Sequence, residues 1–201
     1  YWMGKLYFNG QGVAQDKKVA MDWYRLAAEQ GHPEAQEHVK LYGTSKKKTL
    51  EGDLDKGRDA YRVGAYERAY KHWLPLAEEG DAAAQYNVGM LHHKGLGAKK
   101  DYMTARTWYE LAAAQNQPLA QLELGHMYHQ GQGVLENTQK AMVWYRRAAY
   151  QGNSQAQYRL GRIYDLGEDA PQDLQAAVKW YEQAAQLGHL HAQFYLGEKF
   201  H

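Results

Sequence analysis

A repeat of 36 residues runs through most of the chain and limits its possible folds more than any other feature. Under a shift of 36 residues, an Ala-Gln pair aligns without a gap at Ala84, Ala120, Ala156 and Ala192. With that alanine as position 0, the full repeats carry glycine at positions 5 and 11, Trp-Tyr at 24 and 25, and Ala-Ala at 28 and 29. Short repeats of this kind bury their apolar faces only against neighbouring copies, so the period predicts a solenoid.

The pattern within a repeat predicts two helices. Apolar residues at positions 0, 4, 7 and 8 lie on one helical face, and the glycines around position 11 end this first helix, helix A. Asp101, Asn137 and Asp173 then provide side-chain oxygens that cap the start of a second helix, helix B. The buried face of helix B is expected to hold the repeated aromatic residues. The predicted structural core contains Trp23, Tyr24, Trp73, Trp108, Tyr109, Trp144, Tyr145, Trp180 and Tyr181.

These residues resemble the Sel1-like repeat, whose pattern AxxxLGxxYxxGxGVxxDxxKAxxWYxxAAxxG is matched nearly in full by residues 120–152. The resemblance implies an all-α fold, a right-handed α/α superhelical solenoid of Sel1-like, tetratricopeptide-like helix pairs. It also implies a non-enzymatic scaffold or adaptor that binds a peptide or protein on the concave face of the solenoid. Because bacterial members often work at or beyond the cell envelope, the resemblance favours a bacterial periplasmic or envelope location over the cytoplasm.

The spacing of the repeats divides the chain into two blocks. Residues 1–42 hold the first Sel1-like repeat and the start of a following helix, and residues 51–201 hold the array. Between them, residues 43–50 contain three successive lysines and predict an exposed, mobile linker. In the first part of the array, Asp53 stands where the other repeats have the position 5 glycine. The array comprises a degenerate tetratricopeptide-like unit over 51–83, repeats over 84–119, 120–155 and 156–191, and a partial unit over 192–201.

Composition argues against several classes of partner and cofactor. Lys and Arg total 24 against 23 Asp and Glu, so no net field attracts nucleic acid. No apolar run approaches the roughly 18 residues that span a bilayer, and the chain contains no cysteine. The GxG elements at 10–12, 95–97 and 131–133 follow predicted helices instead of a β-strand, so they indicate turns between helices and predict no nucleotide cofactor.

Ionisable residues give no catalytic or metal-binding pattern. The chain has ten histidines but no HExxH motif and no Cys/His cluster, which favours structural or partner-contacting histidines over a metal site. The carboxylates are scattered over helix surfaces and caps, so no catalytic residue and no enzymatic activity are predicted. The alternative function is a binder of a small molecule or cell-wall fragment, with or without hydrolytic activity. That alternative requires ionisable groups clustered at one repeat.

One face of helix A is not explained by packing and predicts a docking surface. Positions 2, 6 and 9 point away from positions 0, 4, 7 and 8, yet they carry aromatic, histidine and arginine side chains that are typical of interfaces. In the alternative interpretation, the aromatic residues at position 2 pack against helix A of the next repeat. We call these residues the helix-A stripe: Tyr86, Met90, His93, Leu122, His126, His129, Tyr158, Arg162, Asp165 and Phe194.

Overall fold

The computed structural model describes residues 1–168 and 171–199, and the side chains of residues 17–18, 42–52 and 199 lie outside the description. Within the described residues the regular structure is helical and contains no strand, as predicted. The chain forms two compact blocks, Tyr1–Asp55 and Lys56–His201. The helices are α1 (Trp2–Asn9), α2 (Lys17–Glu29), α3 (Pro33–Arg62), α4 (Tyr66–Glu78), α5 (Ala82–Lys94), α6 (Tyr102–Ala114), α7 (Pro118–Gln130), α8 (Thr138–Tyr150), α9 (Ser154–Leu166), α10 (Leu174–Gln186) and α11 (Leu190–Lys199).

The helices of each block pack in chain order. In the first block α1 packs against α2, and Tyr24 of α2 is buried against Gly4 of α1. In the second block each helix from α4 to α10 contacts the one that follows it. The second block therefore has a series of small cores between successive helices, which is the arrangement of a repeat array.

The core between helices A and B is built around a tyrosine and a glycine. Tyr109 and Tyr181 are fully buried, and each ring lies against the position 5 glycine of helix A in its own repeat. A Cβ atom on Gly89 or Gly161 would approach the tyrosine ring to 2.8 or 2.7 Å. Position 5 is therefore glycine because any side chain would displace the ring.

The structure corrects the prediction that both members of the Trp-Tyr pair lie in the core. Trp23 is 37% exposed, and Trp108, Trp144 and Trp180 are only partly buried. Adjacent residues on a helix point about 100° apart, so only one of the two can face the paired helix A. The tyrosine takes that direction. The tryptophan lies at the margin, where Trp144 packs against the core formed by α6 and α7.

The degenerate unit also differs from the sequence assignment. Trp73 is 2% exposed and takes the place of the buried tyrosine, and Gly57 lies against its indole ring. Gly57, and not Asp53, therefore provides the close helix contact. The turn between α3 and α4 is shorter than the α5–α6 turn, which brings the glycine and the aromatic residue closer in sequence than in the other repeats.

Residues 43–50 lie inside helix α3, which differs from the predicted linker. The segment has no proline, its three lysines and one leucine are good helix formers, and Gly43 costs the helix only roughly 1 kcal/mol. The boundary between the two blocks falls later, between Asp55 and Lys56. The exposure predicted for Lys46–Lys48 concerns side chains outside the described residues.

The predicted helix ends are confirmed. Gly95 and Gly131 end helices A in the left-handed conformation, with φ of 69° and 66°. Asn137 accepts from Lys140 N at 2.8 Å and Asp173 accepts from Ala176 N at 2.9 Å, so both cap a helix B. Gly133, the second glycine of its GxG, lies against Tyr102 at the start of helix B in the preceding repeat. This glycine therefore serves the contact between repeats as well as the turn.

Candidate functional site

The position 2 residues of the helix-A stripe are largely engaged in packing. Leu122 is only 7% exposed and belongs to the core formed by α8 and α9, so its assignment to a docking surface is corrected. Tyr86 and Tyr158 are partly buried against the following helices, whereas Phe194 is 66% exposed. Packing therefore engages the first three of these residues and leaves Phe194 accessible.

The position 9 residues join each repeat to the next. His93 Nε2 lies 2.7 Å from Gln132 Oε1, and His129 Nε2 lies 3.1 Å from Glu168 Oε2. In the third repeat the Asp165 carboxylate accepts a 2.7 Å hydrogen bond from the Tyr195 hydroxyl. The same position therefore makes a polar contact across three successive junctions. We call these three contacts the junction contacts.

A carboxylate lies near the middle of the stripe. Glu123 Oε2 is 3.5 Å from His126 Nδ1 and 3.9 Å from His93 Nδ1. Burial alone would raise the pKa of Glu123, but the hydrogen bond and charge of His126, together with His93 and Lys94, outweigh burial and hold the pKa below its ordinary value. The Glu123 side chain keeps 26% exposure, so the stripe presents an anionic group to solvent at neutral pH.

The position 6 residues differ in accessibility. Met90 packs against the α6–α7 core, and His126 lies edge-on to Tyr145 with ring centroids 5.5 Å apart. Arg162 is exposed, and its hydrogen bond to Tyr158 raises the pKa of the guanidinium. Of the three position 6 side chains, only Arg162 is therefore exposed.

A row of buried glutamines was not identified as functional from the sequence. Gln85, Gln121 and Gln157 follow the position 0 alanine and are 5% exposed or less. Each donates from Nε2 to an alanine carbonyl in the last turn of the preceding helix, at 3.1, 3.3 and 3.1 Å to Ala77, Ala113 and Ala149 respectively. Each of these carbonyls also accepts a backbone N–H from just past the helix end, so the glutamine gives it a second hydrogen bond. The repeated Ala-Gln pair was the available signal, because a polar residue at a fixed core position requires a fixed partner.

The described residues hold neither a metal cluster nor a membrane span. No group of three or more His, Asp or Glu side chains within the described ranges is arranged to hold a metal ion. No helix in this part of the chain is both long enough and apolar enough to cross a bilayer. The stripe instead combines partly exposed hydrogen-bond donors, acceptors and aromatic rings, and such groups can bind a partner.

Helix pairs that stack in chain order define an α-solenoid of helix-turn-helix repeats. The model of the Sel1 repeat matches residues 1–32, 82–117, 118–153 and 154–189, more than half of the chain. The chain therefore belongs to the Sel1 repeat family, and the resemblance seen in the sequence is confirmed. Residues 33–81, which include the degenerate unit, lie outside these matches. Sel1 repeat proteins are generally non-catalytic scaffolds for protein interactions.

Similar proteins come from bacteria and from eukaryotes. A protective antigen present in uropathogenic Escherichia coli strains, with an SLR fold, is 31% identical, with a TM-score of 0.67 over 98% of this chain and 47% of that one. A Sel1 repeat protein from Oxalobacter formigenes is 29% identical, with a TM-score of 0.66 over 98% of this chain and 53% of that one. Human protein sel-1 homolog 2 is 37% identical over 90 residues, which are 45% of this chain and 12% of that protein. The chain thus spans about half of the two solved structures and about an eighth of the human relative.

Proposed function

We propose that the protein is an interaction scaffold that binds a peptide or protein segment along the accessible residues of the helix-A stripe. The observation that carries this proposal is the continuity of partly exposed polar groups over α5, α7 and α9. His93, His126, His129 and Arg162 each leave part of a polar side chain accessible, and Glu123 lies among them. A surface that extends over three successive repeats suits an extended segment of a partner.

The junction contacts give this surface a defined shape. Because His93, His129 and Asp165 are each held by a residue of the following repeat, their side chains are fixed before a partner arrives. A pre-ordered surface loses less conformational entropy on binding than a mobile one. Membership of the Sel1 repeat family also supports a protein partner, because proteins of this family are generally scaffolds for protein interactions.

The spread of ionisable groups disfavours the alternative of a small-molecule or cell-wall-fragment binder. That function requires the groups to be gathered at one repeat, whereas those of the stripe extend over three. An open cleft does occur at the start of α4, lined by residues that include Tyr66, Arg68 and Gly97, but no member of the stripe lines it.

Site-specific photo-crosslinking tests the proposal. A photoreactive amino acid is placed at His129, on the stripe, or at the exposed Val143, on helix B of the same repeat. In extracts of the source organism, the His129 variant should crosslink a discrete protein that the Val143 variant does not. The Arg162→Ala variant, crosslinked from His129, should lose that product while it keeps its helical circular dichroism. Equal crosslinking from both faces would contradict the proposal.

A further inference from the structure

A cluster of basic and aromatic side chains lies where α9 meets α11. The Tyr158 ring stacks on His189 with centroids 4.4 Å apart and lies 5.9 Å from the His191 ring. Arg162 hydrogen-bonds to Tyr158, and Arg159 lies one helical turn before Arg162 on α9. We call these five residues the basic cluster. Arg162 and His191 are exposed, and the other three are partly exposed.

Among the described residues, the arginines of the basic cluster have no carboxylate partner of their own. Within the described part of the chain, neither Arg159 nor Arg162 forms an ion pair at 4.0 Å or less. The nearby carboxylates are already engaged, since Asp165 accepts from the Tyr195 hydroxyl and Glu168 pairs with His129. Glu168 is close enough to act on Arg162, but its carboxylate is shared with the imidazole. The guanidinium groups therefore retain donors for an external anion.

His189 is arranged as a neutral member of the basic cluster. Its Nδ1 accepts from the Ala192 backbone N–H at 3.3 Å, so Nε2 carries the proton that bonds to Gln155 Oε1 at 3.0 Å. Burial, followed by the charges of His191 and Arg159, holds the pKa of His189 below its ordinary value. Positive charge in the cluster is therefore in excess, and it comes from the arginines.

We propose that the basic cluster anchors an acidic side chain of the bound peptide, with Arg159 and Arg162 as the donors. This inference rests on the proposed function, because Tyr158 and Arg162 also belong to the helix-A stripe. A planar guanidinium matches a carboxylate with two parallel hydrogen bonds, and two such groups one turn apart can receive one or two acidic residues. An extended peptide lying along the stripe reaches the cluster at its α9 end.

Binding of defined peptides tests the inference. Fluorescence anisotropy of labelled hexaglutamate and hexalysine is measured with the full chain, its Arg159→Gln/Arg162→Gln variant and an Arg147→Gln control. Arg147 lies on helix B with its guanidinium 4.6 Å from the Trp144 ring centroid, so the control removes the same type of charge away from the cluster. Hexaglutamate should bind the unmodified chain and the control alike, and about tenfold or more weakly to the double variant. Circular dichroism checks that both variants stay folded.

The His189 pKa provides a second readout. An anion bound beside the imidazole favours its charged form, so the His189 pKa measured by NMR should rise when hexaglutamate is added. Equal loss of affinity in the Arg147→Gln control, equal binding of hexalysine, or absence of hexaglutamate binding would overturn the inference. Equally tight binding of a single-stranded oligonucleotide of the same charge would also overturn it, because the cluster would then bind polyanions in general and not acidic peptides. If crosslinking from His129 succeeds while hexaglutamate fails, the scaffold function stands and only the acidic anchor is refuted.

Discussion

Replacing Tyr145 by alanine should destabilise the array much more than replacing its neighbour Trp144. Tyr145 is fully buried between α7 and α8, and truncation of a buried aromatic side chain costs about 3–5 kcal/mol. Trp144 is only partly buried and is covered in part by the Arg147 guanidinium. Because part of the Trp144 ring stays accessible, its truncation loses the transfer free energy of the buried part and leaves no closed cavity, which corresponds to roughly 1–2 kcal/mol. The expected difference between the two variants is therefore about 1–4 kcal/mol.

Urea denaturation followed by far-ultraviolet circular dichroism measures this difference without depending on the fluorescence of the removed tryptophan. The Tyr145→Phe variant is the matched control, because it keeps the ring and removes a buried hydroxyl that has no hydrogen-bond partner among the described residues. Its free energy of unfolding should change little. A larger loss of unfolding free energy for Trp144→Ala than for Tyr145→Ala, with equal m-values, would refute the assignment of the tyrosine to the core.

Three further variants test the contacts that join and terminate the helices. Gln121→Ala should lower the free energy of unfolding by about 1–3 kcal/mol, because it removes a buried amide that donates to the Ala113 carbonyl and accepts from Gln151; urea denaturation measures the loss. Gly125→Ala should destabilise the array because the new Cβ atom meets a buried tyrosine ring, and a lower thermal midpoint would report it. The lowered pKa of His189 favours its neutral form in the folded chain. The stabilisation that neutral His189 contributes is therefore fully present above the ordinary histidine pKa of about 6.5, and it is lost as the pH falls through the lower pKa of the folded state. Thermal denaturation measured at several pH values should show this loss.

Each of these variants has a control within the chain. Gln130→Ala removes an exposed glutamine from the same helix as Gln121 and should leave the urea midpoint unchanged. Gly188→Ala tests a glycine with no neighbouring atom within 4 Å, so its cost should reflect only the positive φ of 81°. His189→Asn keeps a side-chain cap without a titrating group and should flatten the pH dependence below the ordinary histidine pKa of about 6.5. An unchanged slope in His189→Asn would assign the effect to another group.

The sequence alone determined the features that depend on neighbours along the chain. Helix A ends at Gly131 because the left-handed conformation is needed there, and helix B begins after Asn137 because its side chain caps a nearby amide. Both interactions span only a few residues. The 36-residue period was likewise visible without coordinates and predicted a solenoid, and the repeated residues resembled the Sel1 repeat, which the family match confirms.

Only the tertiary structure decided which side chains become core and which remain available for a partner. The Trp-Tyr pair reads alike in every repeat, and only the direction of the neighbouring helix shows that the tyrosine is buried and the tryptophan lies at the margin. The partner of His129 is Glu168, 39 residues later, and the lengths of two helices and two turns set their separation. Helical periodicity gives the direction of a side chain about its own axis. Its burial and its partners depend on how closely the next repeat approaches, and that distance is fixed by packing between residues far apart in the sequence.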